Sequence, residues 1–415
     1  MRKKKIFYGW WIALISSILR FFEGSTYFYG FTAFFNPIRQ TFGWGATETS
    51  VAFSLQRLET GAMAPISGFL TDRFGPKRMM LIGWGIVGAG FLAMSRTNSL
   101  LVFYVTFVVL ALGISLAVYA PAMVLASRWF IRKRSRAITL SALGGGLGGL
   151  MIPLLTMSIL QLGWRTSLVI AGLIIWAICL PLTLLIKDSP EQIGYLPDGD
   201  IPSPESRSTD KSSTSDDKVT LQGFSVKETL RIRTFWLICG VYFIQQLGTS
   251  AVFVHIMPYL ESLDFPKMQA AYVVSGLAIC SVAGRLSFGI MGDMFNKRYL
   301  LTISIVLQTA GLLFFSLVDV SRAWLLIIFL IIYGFGYGAP VVLRPAIQAD
   351  YFGVKNFGTI MGLTSLASLV GGISSPVLAG WIFDTTGSYQ LAWRIFTLVS
   401  APAIPLMLMA QQPEN

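Results

Sequence analysis

Residues 271–298, AYVVSGLAICSVAGRLSFGIMGDMFNKR, stay largely apolar as far as Met291 and then turn polar at Asp293, Lys297 and Arg298. A helix rises about 1.5 Å per residue, so about 20 such residues cross a hydrocarbon layer about 30 Å thick. The stretch reads as a membrane-spanning helix that ends in a basic loop. Its single internal cation, Arg285, lies roughly 12 Å inside that polar end, close to the middle of the layer. Ionisable groups at such depth face a bundle interior or a water-filled cavity. Ser281 stands one turn before Arg285 and Gly289 one turn after. No acid on this helix neutralises the charge, and the stretch reads as an anion site.

The loop has an earlier counterpart. Gly68-Phe-Leu-Thr-Asp72-Arg-Phe-Gly-Pro-Lys77-Arg78 matches Gly289-Ile-Met-Gly-Asp293-Met-Phe-Asn-Lys297-Arg298 at an offset of 221, and Trp129-Phe130 with Lys133 matches Tyr351-Phe352 with Lys355 at 222. Near-equal offsets at independent places argue for duplication of one unit. Tyr119-Ala120-Pro121 and Tyr337-Gly338-Ala339-Pro340 add a third echo.

The 415 residues are 54% hydrophobic and 13% charged, with mean hydropathy +0.66. That balance indicates an integral membrane protein. The net charge of +12 is explained by where basic residues fall and not by a nucleic-acid face, so no nucleic-acid partner is expected. Cys179, Cys239 and Cys280 all lie in apolar runs, as buried hydrophobes and not disulfides or ligands. One histidine and no metal-ligand spacing leave no metal or other cofactor expected, and no nucleophile or catalytic carboxylate pair gathers to make an enzyme. The basic start MRKKK leads into a long first helix interrupted by Arg20 and Glu23, read as retained and not as a signal peptide.

Six apolar runs fall between residues 7 and 186, among them 7–35, 136–160 and 165–186, and six between 235 and 410, among them 269–292 and 323–347. The expected fold is an all-α membrane protein of 12 transmembrane helices in two six-helix bundles. The bundles are 1–186 and 235–415, with a linker at 187–234 rich in Ser, Asp, Pro and Lys. The linker closes with a capping box, Ser225 to Glu228, and an amphipathic lead-in, SVKETLRIR. Basic residues crowd the N-terminus, the linker and alternate loops, whereas the opposite loops hold Arg39, Arg96, Arg165, Lys267 and Arg322. The positive-inside rule then sets both termini and the linker in the cytoplasm, in the inner membrane of the cell.

This organisation resembles the major facilitator superfamily across the whole chain. Within it, Tyr8-Gly9-Trp10-Trp11, the stretch Arg128-Trp129-Phe130-Ile-Arg-Lys-Arg134-Ser-Arg-Ala137 and an Arg in helix eight resemble the monocarboxylate transporter family. The resemblance implies a central cavity lined by helices 1, 4, 7 and 10, and alternating access by rocking of two bundles. It also implies proton-coupled movement of small carboxylates such as lactate or pyruvate, with the substrate carboxylate on Arg285. Animal members of the family typically carry an Asp one turn before that Arg and a Lys in helix one; this chain has Ser281 and Gly30 there, so the usual proton route does not transfer.

Arg suits a carboxylate because its planar fork donates two parallel hydrogen bonds. Helices one and two carry Arg20, Glu23, Arg57 and Glu59 near mid-membrane. In an antiparallel hairpin Arg20 stands level with Glu59 and Glu23 with Arg57, giving a neutral ion-pair network. Glu23 and Glu59 are also proton-coupling candidates, as is His255 in helix seven; a purely structural histidine is the alternative. Of the aromatics that the resemblance sets in the cavity, Phe28, Tyr119 and Tyr337 are the candidate substrate contacts, with Ser281 beside Arg285. Asp72, Arg73 and Gly75, echoed by Asp293, resemble the superfamily's conformational latch. The run Gly144, Gly145, Gly146, Gly148, Gly149 lacks the lysine of a phosphate loop and reads as close helix packing.

The expectation is a monomeric secondary transporter of small monocarboxylates, coupled to protons and embedded in the lipid bilayer. An organic-anion exchanger of the oxalate/formate type, or an anion-binding membrane sensor, are the alternatives.

Overall fold

A computed structural model describes residues 7–130, 134–199, 224–353 and 357–413, so the linker interior lies outside the described residues. α1 runs from Tyr8–Glu23 through a π-helical turn, Gly24–Phe28, into Gly30–Phe42; α2 is Ala46–Phe74 and α3 is Pro76–Ser95. α4 joins Leu100–Ile114 to Ala120–Trp129 through a second π-turn, Ser115–Tyr119. α5 starts at Arg134–Leu147, passes a 3-10 turn at Gly148–Met151 and continues into Ile152–Leu184, whose backbone breaks at Gly163; the remainder from residue 164 is α6. After a short helix Val226–Arg231 come α7 (Arg233–Ser262), α8 (Lys267–Met294) and α9 (Lys297–Ser316). α10 spans Leu325–Phe329, a third π-turn at Leu330–Gly334, and Phe335–Phe352; α11 is Phe357–Thr386, and α12 is Tyr389–Ser400 with Ala403–Met409.

Nine helical stretches among the described residues are long and apolar enough to cross a membrane, the 48-residue Ala137–Leu184 counting as one. α1 and α2, which carry the mid-helix charges, fall outside that set. Leu101, Ile290 and Leu398 are bare on the perimeter, as hydrocarbon-facing residues are.

Local chemistry sets the breaks. Gly163 has φ +80, a left-handed conformation that a side chain resists, and this single residue separates α5 from α6. Where the runs left a four-residue gap, the chain needs only one. α1 likewise continues beyond residue 35 to Phe42, with Pro37 inside the helix. In the loop motif Gly75, at φ +87, hands over to Pro76 at the start of α3. There Asp188 accepts the amide of Lys77 at 2.8 Å, and Lys77 Nζ caps the end of α6 on the Leu184 carbonyl at 2.5 Å. A carboxylate at a helix N-terminus is favoured by the unpaired amides and the dipole. The second half uses an ion pair in the matching loop, Lys297 with Asp350 at 2.6 Å. The capping box forms as expected, with Glu228 accepting the Ser225 amide at 2.7 Å.

The halves meet along two seams related by the duplication, α2 on α11 and α5 on α8. Both are lined with small residues. A methyl built on Gly380 would come within 2.8 Å of Ala46 backbone, and one on Gly149 would strike the Ala278 methyl, so the backbones touch as small residues allow. At the end away from the linker the halves are tied together. Thr32 donates to the Val254 carbonyl at 3.1 Å and Asn36 to Glu261 at 3.0 Å. Asp384 of α11 accepts the amides of Ala46 and Thr47 at 2.9 and 2.8 Å and the Thr47 hydroxyl at 2.6 Å. One apolar core runs through both halves there, whereas the linker end of the second half has a separate core around Phe235, Leu301 and Phe352. The bundles are closed at one end and parted at the other.

Candidate functional site

Between the parted ends lies a cavity of about 370 Å³, lined by α1, α2, α5, α7, α8, α10 and α11. Its charged lining residues are Arg20, Glu23, Arg57, Arg285 and Arg344, four guanidiniums against one carboxylate. Among the described residues no α4 side chain reaches it, and the Tyr119 side chain lies outside them.

Arg285 projects from α8 across the seam to α5, where Nη1 donates a long hydrogen bond, 3.4 Å, to the Ala142 carbonyl. Its Nε is buried without a partner. Space for the guanidinium comes from the glycine run: a methyl on Gly146 would lie 2.7 Å from Nη1. Behind it Gly338 of α10 packs against the Arg285 amide, and Gly284 against the Phe335 carbonyl.

The cavity's inner wall is aromatic. Phe28 and Tyr29 of α1 and Tyr337 of α10 line it and share Phe253 as a backing ring, at centroid distances of 5.0, 5.4 and 4.8 Å. The Tyr29 hydroxyl is buried. Tyr27 and Tyr333 pack on Phe107 and Phe329 instead. Ser281 is buried off the lining, its hydroxyl donating to the Ala278 carbonyl at 2.8 Å.

Of the charged quartet of α1 and α2, Arg20, Glu23 and Arg57 line the cavity. A methyl on Gly145 would lie 3.6 Å from Arg20 Nε and 3.8 Å from Glu23 Oε2, so these two groups converge on α5. Arg57 lays its guanidinium over Phe53 at 5.0 Å and Phe28 at 5.5 Å, and Glu59 is off the cavity lining. The π-turn that follows Glu23 adds a residue to the turn and rotates what comes after.

His255 is fully buried and outside the cavity. Its Nε2 faces the Pro376 carbonyl at 2.9 Å and Ser50 Oγ at 3.1 Å, and Nδ1 lies 3.1 Å from the Tyr389 hydroxyl. A carbonyl can only accept, so Nε2 carries the proton and Nδ1 receives the tyrosine hydroxyl. The neutral ring thereby ties α7 to α2, α11 and α12 at the closed end. In the loop motif the side chains of Asp72 and Asp293 lie outside the described residues, and Arg73 is exposed, 5.5 Å over Phe74. No group of His, Cys, Asp or Glu among the described residues could hold a metal.

Sequence reasoning missed Arg344, Tyr29 and Gln245. Arg344 of α10 donates from Nη2 to Gln245 Oε1 at 2.6 Å and from Nη1 to Ser368 Oγ at 3.4 Å, and lies 4.3 Å over the Tyr242 ring. Its signal was available, a cation in an apolar run, as for Arg285.

Comparison with known proteins gives this architecture relatives. The sequence profile of the Major Facilitator Superfamily matches residues 13–288 and 238–415. Monocarboxylate transporter 12 of Mus musculus is 26% identical over 376 residues, spanning 87% of this chain and 77% of its own. The oxalate:formate antiporter of Oxalobacter formigenes is 25% identical over 382 residues, spanning 89% and 86%. Among solved structures, the nucleoside transporter NupG matches with a TM-score of 0.74 at 15% identity, over 97% of this chain and 99% of that one. A bacterial homolog of the human lysosomal transporter Spinster, in an inward-facing and occupied conformation, matches with 0.73 at 15%, over 98% and 97%. The structural matches concern the fold.

Proposed function

The chain belongs to the Major Facilitator Superfamily, and from that premise we propose that this multi-pass membrane transport protein carries small carboxylates by alternating access, with Arg285 as the carboxylate-binding group. The observation that carries the reading is the cavity between the parted bundles, in which, among the described residues, Arg285 meets no acid and makes one long hydrogen bond. A carboxylate entering a site of low dielectric loses its hydration, and a two-pronged charged contact offsets that loss. Phe28 and Tyr337 form the apolar wall for the substrate's carbon end. The names of the monocarboxylate transporter relatives favour monocarboxylates.

The proton is assigned to Glu23, the carboxylate of the cavity, beside Arg20 on the same helix. Loading is neutral overall when an anion reaches Arg285 and a proton reaches Glu23. With the N-terminus and linker on the cytoplasmic side of an inner membrane, the open end faces the cytoplasm. Asp72, Arg73, Gly75 and Asp293 then latch that end when the bundles rock the other way.

A specific observation favours a second reading, exchange of one anion for another. Arg285 and Arg344, whose hydrogen-bond partners among the described residues are neutral, make the empty cavity costly to close, because buried cations need compensation. An exchanger never closes empty. Purified protein in liposomes separates these: symport makes lactate uptake rise with external acid and collapse with a protonophore, whereas exchange makes it depend on internal anion. Arg285→Ala should abolish uptake in either case, and Arg285→Lys should weaken binding by about 1 to 3 kcal/mol, the scale of a charged hydrogen bond. A well-folded Arg285→Ala protein that transports lactate normally refutes the assignment.

A further inference from the structure

Resting on the reading of the cavity as a carboxylate site, we propose that Arg344 forms a second anion subsite and that the preferred cargo is a short dicarboxylate held between Arg285 and Arg344. Arg344 lies between Pro340 and Pro345 on the part of α10 that faces the cavity. Every group that touches it is neutral: Gln245, Ser368 and the Tyr242 ring. It forms no ion pair among the described residues, and its Nε is buried without a partner. A buried cation kept only for structure is ordinarily matched by an acid. This one is braced in orientation while its charge is uncompensated.

Gln245 supplies an independent sign. Its carbonyl oxygen must face Arg344, because a guanidinium only donates. That fixes the amide the other way round, and its Nε2 is buried, lines the cavity and has no partner. A donor beside a cation, both unsatisfied and both on the cavity wall, is a place for a carboxylate oxygen.

Two guanidiniums that enter one cavity from different helices suit a molecule with two such ends. Gly338 packs against the Arg285 amide, and Arg344 follows six residues later, roughly 9 Å along α10 at 1.5 Å per residue. Each guanidinium takes one carboxylate, and a chain of a few carbons bridges the interval. A dianion also balances the charge of the lining better than a monoanion.

The test is calorimetric titration of the purified full chain with lactate and with oxalate, malonate and succinate. At least one dicarboxylate should bind about tenfold or more tightly than lactate, the factor expected of one added charged hydrogen-bond pair. Arg344→Gln should reduce that ratio by about the same factor, with Arg344→Lys between the two. A dicarboxylate affinity no better than lactate's in the unmodified protein overturns the proposal, whether or not the variants fold. So does an Arg344→Gln protein that weakens both classes equally. Failure of the underlying reading looks different: no carboxylate of either class would then bind in a manner that Arg285→Ala removes.

Discussion

Gly146→Ala tests the geometry of the site without touching a charged residue. The added methyl would lie 2.7 Å from Arg285 Nη1 and 2.9 Å from Val282 Cγ2, and ordinary contact begins near 3.4 Å. The guanidinium must therefore retreat by about 0.7 Å or swing away, and a two-pronged contact tolerates such a shift poorly. Loss of alignment at one prong costs about 1 to 2 kcal/mol, a five- to thirtyfold weaker carboxylate affinity. Stability responds in two opposed ways. Alanine favours a helix over glycine by about 1 kcal/mol, and crowding costs about 1 to 3 kcal/mol. The unfolding temperature should thus fall slightly while binding falls markedly. Gly289→Ala is the control, one turn beyond Arg285 on α8, where a methyl meets nothing within 4 Å. Titration calorimetry with the tightest carboxylate, beside thermal unfolding in the same detergent, reads both quantities. A Gly146→Ala protein that binds as well as the Gly289→Ala control would show that the Arg285 position is not what fixes affinity.

Three further outcomes are expected. Asp384→Asn removes the charge from the tie to the start of α2 and should loosen the closed end by about 1 to 3 kcal/mol, seen as greater labelling of a cysteine introduced beside Thr47; unchanged labelling would mean the apolar core alone holds that end. His255→Phe leaves Ser50 and Tyr389 without their buried partner and should cost about 1 to 3 kcal/mol in thermal unfolding, with carboxylate affinity retained; a lost pH dependence of uptake at unchanged stability would instead assign the ring to the proton path. Gly163→Ala forces a side chain into the left-handed region and should lower stability by about 1 to 2 kcal/mol, and an unchanged unfolding temperature would refute the account of the α5–α6 turn.

The helical fold and the place of Arg285 on a helix that lines the cavity were legible because each rests on length, spacing or the cost of charge in hydrocarbon. Arg344 escaped because the tenth apolar run was read as ending at residue 347, one turn from that cation. Proline at 345 does not stop α10, which continues to Phe352 and carries Arg344 two turns inside. The π-turn of α1 escaped for another reason. A π-turn depends on tertiary packing and leaves no mark in periodicity, so the place where α1 departs from a regular helix was not legible. Gln245 and Tyr29 were hidden among many polar and aromatic residues of similar helices, and only the shape of the cavity singles them out.

The three π-turns, in α1, α4 and α10, give the wall an adjustable phase. In a helix of 3.6 residues per turn, one residue more or fewer swings everything beyond it by about 100°. Deleting a single residue within Leu330–Gly334 would turn Tyr337 and Arg344 away from the cavity while leaving the membrane span intact. Chains with this architecture can thus exchange the groups that meet the cargo by a one-residue insertion or loss, with no side chain altered and no helix shortened.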